Sequence, residues 1–347
     1  MLASKLVRKL SLLSQPKISL ECIVINKDGQ EESISSSIPK SEFCGNHGIL
    51  IRDLRYLESK GIHTPVILAK KKCLVVNLIY LRALVEPEKA IFFEAKENEN
   101  ILFWKQFKRS LYSNIKYQVL ISTAKDLGEV IGYKKWFEFV VLESMLDAVY
   151  KHFSSELHKI KPQVELIFSS VNNEVTSEIL KDALFVSKKL EELNASLTLI
   201  RNTLQDLLNS DEDMSKMFLS ESEKGAERMQ ENHEEAELLL EHFVKSFDEL
   251  LCSVELMKNN IVMAEAISNI VLDSQRNKIL KMDLKMSLSS LCLGFSGLIG
   301  SFYGMNLINH LEDHKSAFYI IAASVTSTSE LIFRAVYKRI SRSIGRF

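Results

Sequence analysis

Near its C-terminus the chain carries two apolar runs, Leu288–Leu307 and Ala317–Phe333, separated by a short loop that contains acids. At about 1.5 Å per helical residue each run can cross a hydrocarbon core about 30 Å thick, the second by a narrow margin. The pattern predicts two transmembrane helices over 287–307 and 317–337, an acidic loop at 308–316 and a basic tail at 338–347.

A chain of 347 residues, 26% of them charged, has room for one sizeable soluble domain beside that membrane portion. Two spans cannot enclose an aqueous path, because a polar lumen must be walled on all sides. A pore would need several copies around an axis. The net charge of −1, with no compact basic block interleaved with aromatics, argues against a nucleic-acid partner. Cys22, Cys44, Cys73, Cys252 and Cys292 are odd in number and lack a Cys-x-x-Cys pair, so they read as buried thiols in a reducing compartment. No Gly-x-x-x-x-Gly-Lys sequence points to a nucleotide partner. No HExxH pair or nucleophile–base set points to an enzyme, and the histidines, among them His47, His63, His152 and His158, are scattered.

Residues 1–20 hold Lys5, Arg8, Lys9 and Lys17 among serines and leucines, with no acid before Glu21. That composition suits a mitochondrial-type targeting segment, and equally a basic amphipathic start resting on a membrane or on the domain. Over 21–135 the expectation is a small α/β domain, with strands at Leu20–Ile25, Pro65–Ala69, Cys73–Leu78 and Ala90–Phe93, a turn at Asp28-Gly29 and helical spacing from Glu97 to Leu120. Arg52, Asp53 and Arg55 read as a salt-bridged structural element rather than a catalytic cluster.

From Trp136 the strand signal disappears, and after Pro162 there is no proline, so 136–286 reads as a helical stalk. Leu190, Leu193, Leu197, Ile200, Leu204 and Leu207 repeat at steps of three and four, and so do Leu240, Phe243, Phe247, Leu250, Val254, Met257, Ile261 and Ala264. The two seams predict an antiparallel hairpin turning near Asn209–Ser220, its second arm running unbroken from Gly225 to Tyr303. The fold class is therefore α+β. Acids gather at the turn, including Asp211, Glu212, Asp213, Glu234 and Glu237; they form either a solvated face or a weak divalent-cation site between neighbouring copies.

Gly304-Met305-Asn306, placed between two C-terminal apolar runs, resembles the signature of the CorA-type magnesium channels. Four more stretches resemble the mitochondrial, eukaryotic branch of that family: Leu272–Leu284 before the first span, Ile51–Arg55, Leu207–Met217, and Trp136–Glu143 with Trp136 for proline and Val140-Val141 for Arg-Ala. The resemblance implies a homopentameric funnel in an inner mitochondrial membrane that passes Mg2+, with Mg2+ as cargo and as regulator. It also implies that Gly304, Met305 and Asn306 form the selectivity filter.

Read at steps of three and four, the first span and its lead-in present Asp273, Arg276, Leu280, Asp283, Ser287, Ser290, Gly294, Gly297, Ser301 and Gly304 on one face. Such a small and polar stripe means close helix packing, as Gly297 with Ser301 would allow, or a pore lining; with the resemblance it reads as pore lining. Gly304 carbonyls and Asn306 amides would bind the water shell of Mg2+, which dehydrates reluctantly, and Asp273 and Asp283 would hold the cation below, whereas Met305, with its soft thioether, would pack. Leu280 would form an apolar gate. Arg276 would be either an electrostatic brake, partly neutralised by Asp273, or an interface strut. The helix should stop at Gly304 in a left-handed cap.

Glu312 and Asp313 form the outer acidic loop, while Arg276, Lys278, Lys281 and Lys285 precede the first span and Arg334, Lys338, Arg339, Arg342 and Arg346 follow the second. Both termini should therefore lie on the matrix or cytosolic side. Glu330, inside the second span, is expected to pair with Arg334. Two other readings stand beside the magnesium channel: a membrane-anchored coiled-coil interaction protein, and a broader cobalt, nickel or zinc transporter of the same family.

Overall fold

The computed structural model describes residues 17–58, 64–93, 101–126, 135–171, 176–225, 233–305 and 316–344. Residues 1–16, which hold most of the expected targeting segment, lie outside the described residues, as do Asn306, Glu312, Asp313 and Arg346. The chain divides into two compact units, Met1–Ser170 with Thr176–Ala264, and Val171–Val175 with Glu265–Phe347.

In the first unit six strands, β1 (Lys17–Asn26), β2 (Glu31–Pro39), β3 (Val66–Ala69), β4 (Leu74–Asn77), β5 (Arg82–Val85) and β6 (Lys89–Phe93), form one sheet in the order β2-β1-β6-β5-β4-β3. Every neighbouring pair is antiparallel. Because strand side chains alternate, Cys22, Val24, Val75, Leu84 and Ile91 share one face. They pack there with Phe43 and Cys44 of α1 (Lys40–His47) and with Leu57 of α2 (Arg55–Glu58). The intervening residues Ile25, Val76, Ala83, Val85 and Phe92 are buried on the opposite face. There Phe92 meets Trp104 and Phe107 of α3 (Ile101–Asp126) at ring-centroid distances of 5.7 and 5.3 Å. Burial of both faces explains why these strands read as continuous apolar runs.

The turn from β1 to β2 uses Gly29 at φ +75, where a side chain would be strained. The β4–β5 turn puts Ile79 at φ 68 instead, a conformation costly for a branched residue. Asn77 holds it: its Oδ1 accepts the Ile79 N–H at 3.1 Å and its Nδ2 donates to the Tyr56 carbonyl at 2.9 Å. Tyr80, next in the turn, packs edge-on against Phe103 and Phe153, which offsets the strain.

The rest of this unit is helical: α4 (Phe137–Val171), α5 (Ser177–Leu208), the short α6 (Asp211–Lys216) and α7 (Leu219–Glu223), and the first part of α8 (Glu234–Tyr303). Both expected seams are present. Leu190, Leu197, Ile200, Leu204 and Leu207 are buried on α5, and Leu240, Phe243, Phe247, Leu250, Val254, Ile261 and Ala264 on α8. Arg201 Nε donates to Asp248 Oδ1 across the pair at 3.1 Å. A third helix, α4, joins them, with Tyr150 edge-on to Phe247 at 6.2 Å. Thr203 Oγ1 donates to the Pro65 carbonyl at 3.2 Å, which ties α5 to the entrance of β3. In the second unit the rest of α8 pairs with α9 (Ala317–Ile344).

Candidate functional site

Within the second unit α8 turns one face to α9. Leu288 and Cys292 are buried, and Leu284, Ser296 and Ile299 half-buried; on α9 the half-buried positions are Ala317, Ile321, Val325, Ser329, Phe333, Val336 and Ile340. Spacing of three and four on both helices marks a shared seam. One hydrogen bond crosses it, from Ser329 Oγ to the Cys292 carbonyl at 3.1 Å.

Most of the small and polar stripe lies away from α9, although Gly304 lines a cavity that it shares with Ala317, Phe318 and Ile321 of α9. At about 100° per residue Ser290 stands about 160° from Leu288. Asp273, Arg276, Leu280, Asp283, Ser287, Ser290, Gly294, Gly297, Ser301 and Gly304 are all exposed in the single chain. An added Cβ at Gly294, Gly297 or Gly300 would meet nothing within 4 Å, so close approach of α9 does not account for these glycines. Asp283, Ser287, Ser290 and Gly294 line a shallow groove walled by Met286, Leu291 and Leu298. Asp273 and Arg276 are not brought together as an ion pair.

Helix α8 ends after Tyr303, beside the expected stop at Gly304, but not by the expected left-handed cap. The positive-φ glycines of the described residues are Gly29, Gly48 and Gly225; Gly304 is not left-handed. Its N–H instead bridges the carbonyls of Gly300 at 3.0 Å and Ser301 at 3.1 Å, a forked bond that tightens the last turn. Gly304 and Met305 are exposed, and the partners expected beside them, Asn306, Glu312 and Asp313, lie outside the described residues.

Among the described residues one helix, α8, is long and apolar enough to cross a membrane by length and composition. The reason α9 falls short is its run of hydroxyls from Ser324 to Ser329 followed by Glu330. The chain satisfies several of these groups itself. Ser324 donates to the Ile321 carbonyl and Thr326 to the Ala322 carbonyl, both at 2.9 Å, and Arg334 donates to Glu330 as expected. Each local bond lowers the cost of placing that group in an apolar medium.

At the hairpin tip four of the acids lie beside basic side chains of the same chain. Lys216 donates to Glu212 at 2.5 Å and lies 3.9 Å from Asp213, while His233 Nε2 lies 3.7 Å from Asp211 and 3.9 Å from Glu237. No group of three metal-ligating side chains occurs among the described residues.

Two residues matter more in the structure than their sequence context suggests. Glu138, 1% exposed, is buried at the start of α4, where its carboxylate binds Ser220 of α7. Burial pushes its carboxyl above the ordinary range even though Ser220 donates to it twice. An acid inside the apolar run Phe137–Leu142 was the available signal. Asp53, 4% exposed, pairs with Lys70 at 3.2 Å and with Arg52 at 3.5 Å, so the salt-bridged element exists; Arg55 has no part in it.

Comparison with known proteins agrees with this architecture. The family described as "Magnesium transporter MRS2-like" matches residues 21–276. The mitochondrial inner membrane magnesium transporter mrs2 of Schizosaccharomyces pombe is 33% identical over 313 residues, covering 89% of this chain and 71% of that protein. The mitochondrial inner membrane magnesium transporter MRS2 of Kluyveromyces lactis is 30% identical over 332 residues, covering 92% and 72%. Among solved structures, the CorA magnesium transporter from Methanocaldococcus jannaschii has a TM-score of 0.56 at 14% identity and covers 94% of this chain and 98% of that one, so the fold is CorA-like. The family consists of ion transporters, not enzymes. The chain belongs to the MRS2-like family of magnesium transporters.

Proposed function

We propose that this chain forms a homopentameric Mg2+ channel of an inner mitochondrial membrane, with α8 lining the pore and α9 forming a second, lipid-facing span. The observation that carries the reading is the bare stripe: α8 uses its Leu288–Cys292–Ser296 side for α9, and Asp283, Ser287, Ser290, Gly294, Gly297 and Ser301 stay exposed in the single chain. In a bilayer such a face needs either another protein surface or water, and a ring of copies supplies both.

Gly304 carbonyls and Asn306 amides, with Met305 packed beside them, form the filter at the outer mouth. They accept hydrogen bonds from the hydrated ion without stripping its waters. Glu312 and Asp313 raise the local concentration of divalent cations there. Further in, Asp283 and Asp273 hold the cation on either side of a Leu280 constriction that closes by dewetting. No fuel site is required, because a divalent ion gains about 4.6 kcal/mol for each 100 mV it crosses. Both termini then face the matrix, and the basic residues flanking the spans support that orientation.

The test is flux into liposomes holding purified protein and a Mg2+-sensitive dye, with Asn306→Ala alongside. Uptake by the wild type and its collapse in intact Asn306→Ala pentamers is the expected result. Wild-type uptake by the variant would remove the filter, and an impermeable wild type would favour the anchored interaction protein. Substituting Co2+, Ni2+ or Zn2+ for Mg2+ in the same assay tests the broader transporter.

A further inference from the structure

At the end of the second unit away from Gly304, the two helices carry a layer of cations that the pore stripe does not use. Gly304 shares its cavity with Ala317 while Cys292 is bonded to Ser329, so α8 and α9 run antiparallel, and residues before Cys292 share a level with residues after Ser329. At about 1.5 Å per residue, Lys285, Lys281 and Lys278 on α8 and Lys338, Arg339 and Arg342 on α9 all fall about 10 to 21 Å from that hydrogen bond, in one layer. All six are exposed, and none forms an ion pair or a side-chain hydrogen bond among the described residues. Arg334, nearer the bond, is already answered by Glu330.

The one acid in that layer, Asp283, faces elsewhere. At about 100° per residue it stands about 160° around α8 from both Lys281 and Lys285, on the stripe side, whereas Lys278, Lys281 and Lys285 lie within about 80° of Leu288. The cations therefore border the outside of the helical pair rather than the stripe. Tyr337, at the same level, is exposed and stacks on Phe333 with ring centroids 5.9 Å apart. A ring with a polar tip at the end of an apolar run is the pattern of a helix anchored at the headgroup boundary. Unanswered cations at that depth call for a counter-charge that lies in the plane of a membrane and carries apolar chains, which is an anionic phospholipid. Phosphatidylcholine has the same phosphodiester but brings its own ammonium, so its net charge is zero. Each basic residue near an anionic leaflet favours association by about fivefold.

We propose that this layer is a docking surface for anionic phospholipid, whose phosphodiester oxygens accept from Lys281, Lys285, Lys338 and Arg342. The inference rests on the proposal that α8 and α9 cross a membrane. Electron paramagnetic resonance on the purified full chain in phosphatidylcholine vesicles tests it, with chain-labelled phosphatidylglycerol and phosphatidylcholine as probes. Phosphatidylglycerol should be held at the protein surface at least about fivefold more strongly, the weight of one such cation. The combined variant Lys281→Gln, Lys285→Gln, Lys338→Gln and Arg342→Gln should lose that preference. Lys181→Gln with Lys188→Gln, exposed changes on α5 in the first unit, should keep it. Should the fourfold variant not reconstitute, salt decides on the wild type: raising it from about 0.1 M to about 1 M shortens the screening length from about 10 Å to about 3 Å and should remove the preference. Equal association of the two lipids with the wild type, a preference that survives the fourfold variant or high salt, or its loss in the α5 variant would each overturn the assignment. Carbonate washing of the same vesicles tests the spanning reading separately: extraction of the protein removes that reading and the lipid surface with it, while retention without a lipid preference overturns the lipid surface alone.

Discussion

Glu138 Oε1 accepts the Ser220 backbone N–H at 2.9 Å and Oε2 accepts its hydroxyl at 2.6 Å, so one carboxylate joins the starts of α4 and α7. Phe139 packs on Phe218 beside this latch, with ring centroids 4.8 Å apart. Glu138→Ala should leave two buried donors unpaired and open a cavity, at a cost of about 2–4 kcal/mol. Glu138→Gln keeps one acceptor and should cost about 1 kcal/mol. Thermal melts of the two variants, followed through Trp136 fluorescence, check the order.

Acid titration should separate Glu138 from Glu31. Hydrogen bonds from Lys108 and then Tyr112, both at 2.6 Å, hold the Glu31 carboxyl below its ordinary value of 4.5. The stabilisation from Glu31 is therefore present above pH 4.5 and lost as the pH falls through its lowered pKa. Glu138 is raised, so its contribution is full below 4.5 and declines as the pH rises through its folded-state pKa. Melting temperature against pH should show a flattened acid limb in Glu31→Gln, by under about 1 kcal/mol for so exposed a pair. The deficit of Glu138→Gln should instead shrink as the pH rises above 4.5.

Gly294 gives a direct test of the stripe. Gly294→Ala meets nothing within 4 Å and should stabilise α8 by up to about 1 kcal/mol. Gly294→Leu should leave the α8–α9 seam intact, assemble normally and cut Mg2+ flux at least about tenfold by crowding the lumen. Liposome flux with size-exclusion analysis reads both, and unimpaired flux through Gly294→Leu would turn the stripe away from the axis.

Arg276 is exposed on the same stripe and lacks the expected partner Asp273 in its own chain. Facing an ion about 10 Å away at an effective dielectric near ~20, each guanidinium would repel a divalent charge by about 3 kcal/mol before screening. Arg276→Ser pentamers should therefore conduct faster. Loss of assembly with lower flux would make Arg276 an interface strut, and unaltered currents would refute both roles.

Thiol labelling probes the folded chain without mutation. Cys22, Cys44, Cys73 and Cys292 are buried and Cys252 is exposed. Burial, with Glu86 adding to it, pushes the Cys73 thiol up to about 12, so its thiolate is scarce near neutral pH. A maleimide should label one thiol per native chain, and Cys252→Ser should abolish the labelling.

The helical seams were legible because burial follows steps of three and four regardless of what surrounds a helix; the positions from Leu190 to Leu207 and from Leu240 to Ala264 are buried as their spacing predicts, save Leu193 and Met257, which are half-buried. Strands β1, β3, β4 and β6 announced themselves as apolar runs. Strands β2 and β5 did not: β2 is rich in serine, and the short β5 begins with Arg82. Helix α1, with little apolar periodicity, also went unread, and Ile79 hid a left-handed turn that residue preferences assign to glycine or asparagine. The stripe on α8 was visible as spacing, but only the position of α9 showed that most of it is unused among the described residues. The latch at Glu138 depends on a partner 82 residues away, which no local pattern encodes.

The opposed faces of α8 also set an order of events. Its seam with α9 is completed inside one chain, closed by the Ser329–Cys292 hydrogen bond, so pairing of these two helices is unimolecular and independent of how much protein a membrane holds. In the proposed pentamer the surface that meets the bare stripe arrives from another copy, and that encounter depends on concentration. Dilution in lipid should therefore dissolve the pore while each helical pair stays closed, and a cell that lowered the density of this protein would silence conduction without unfolding a single chain.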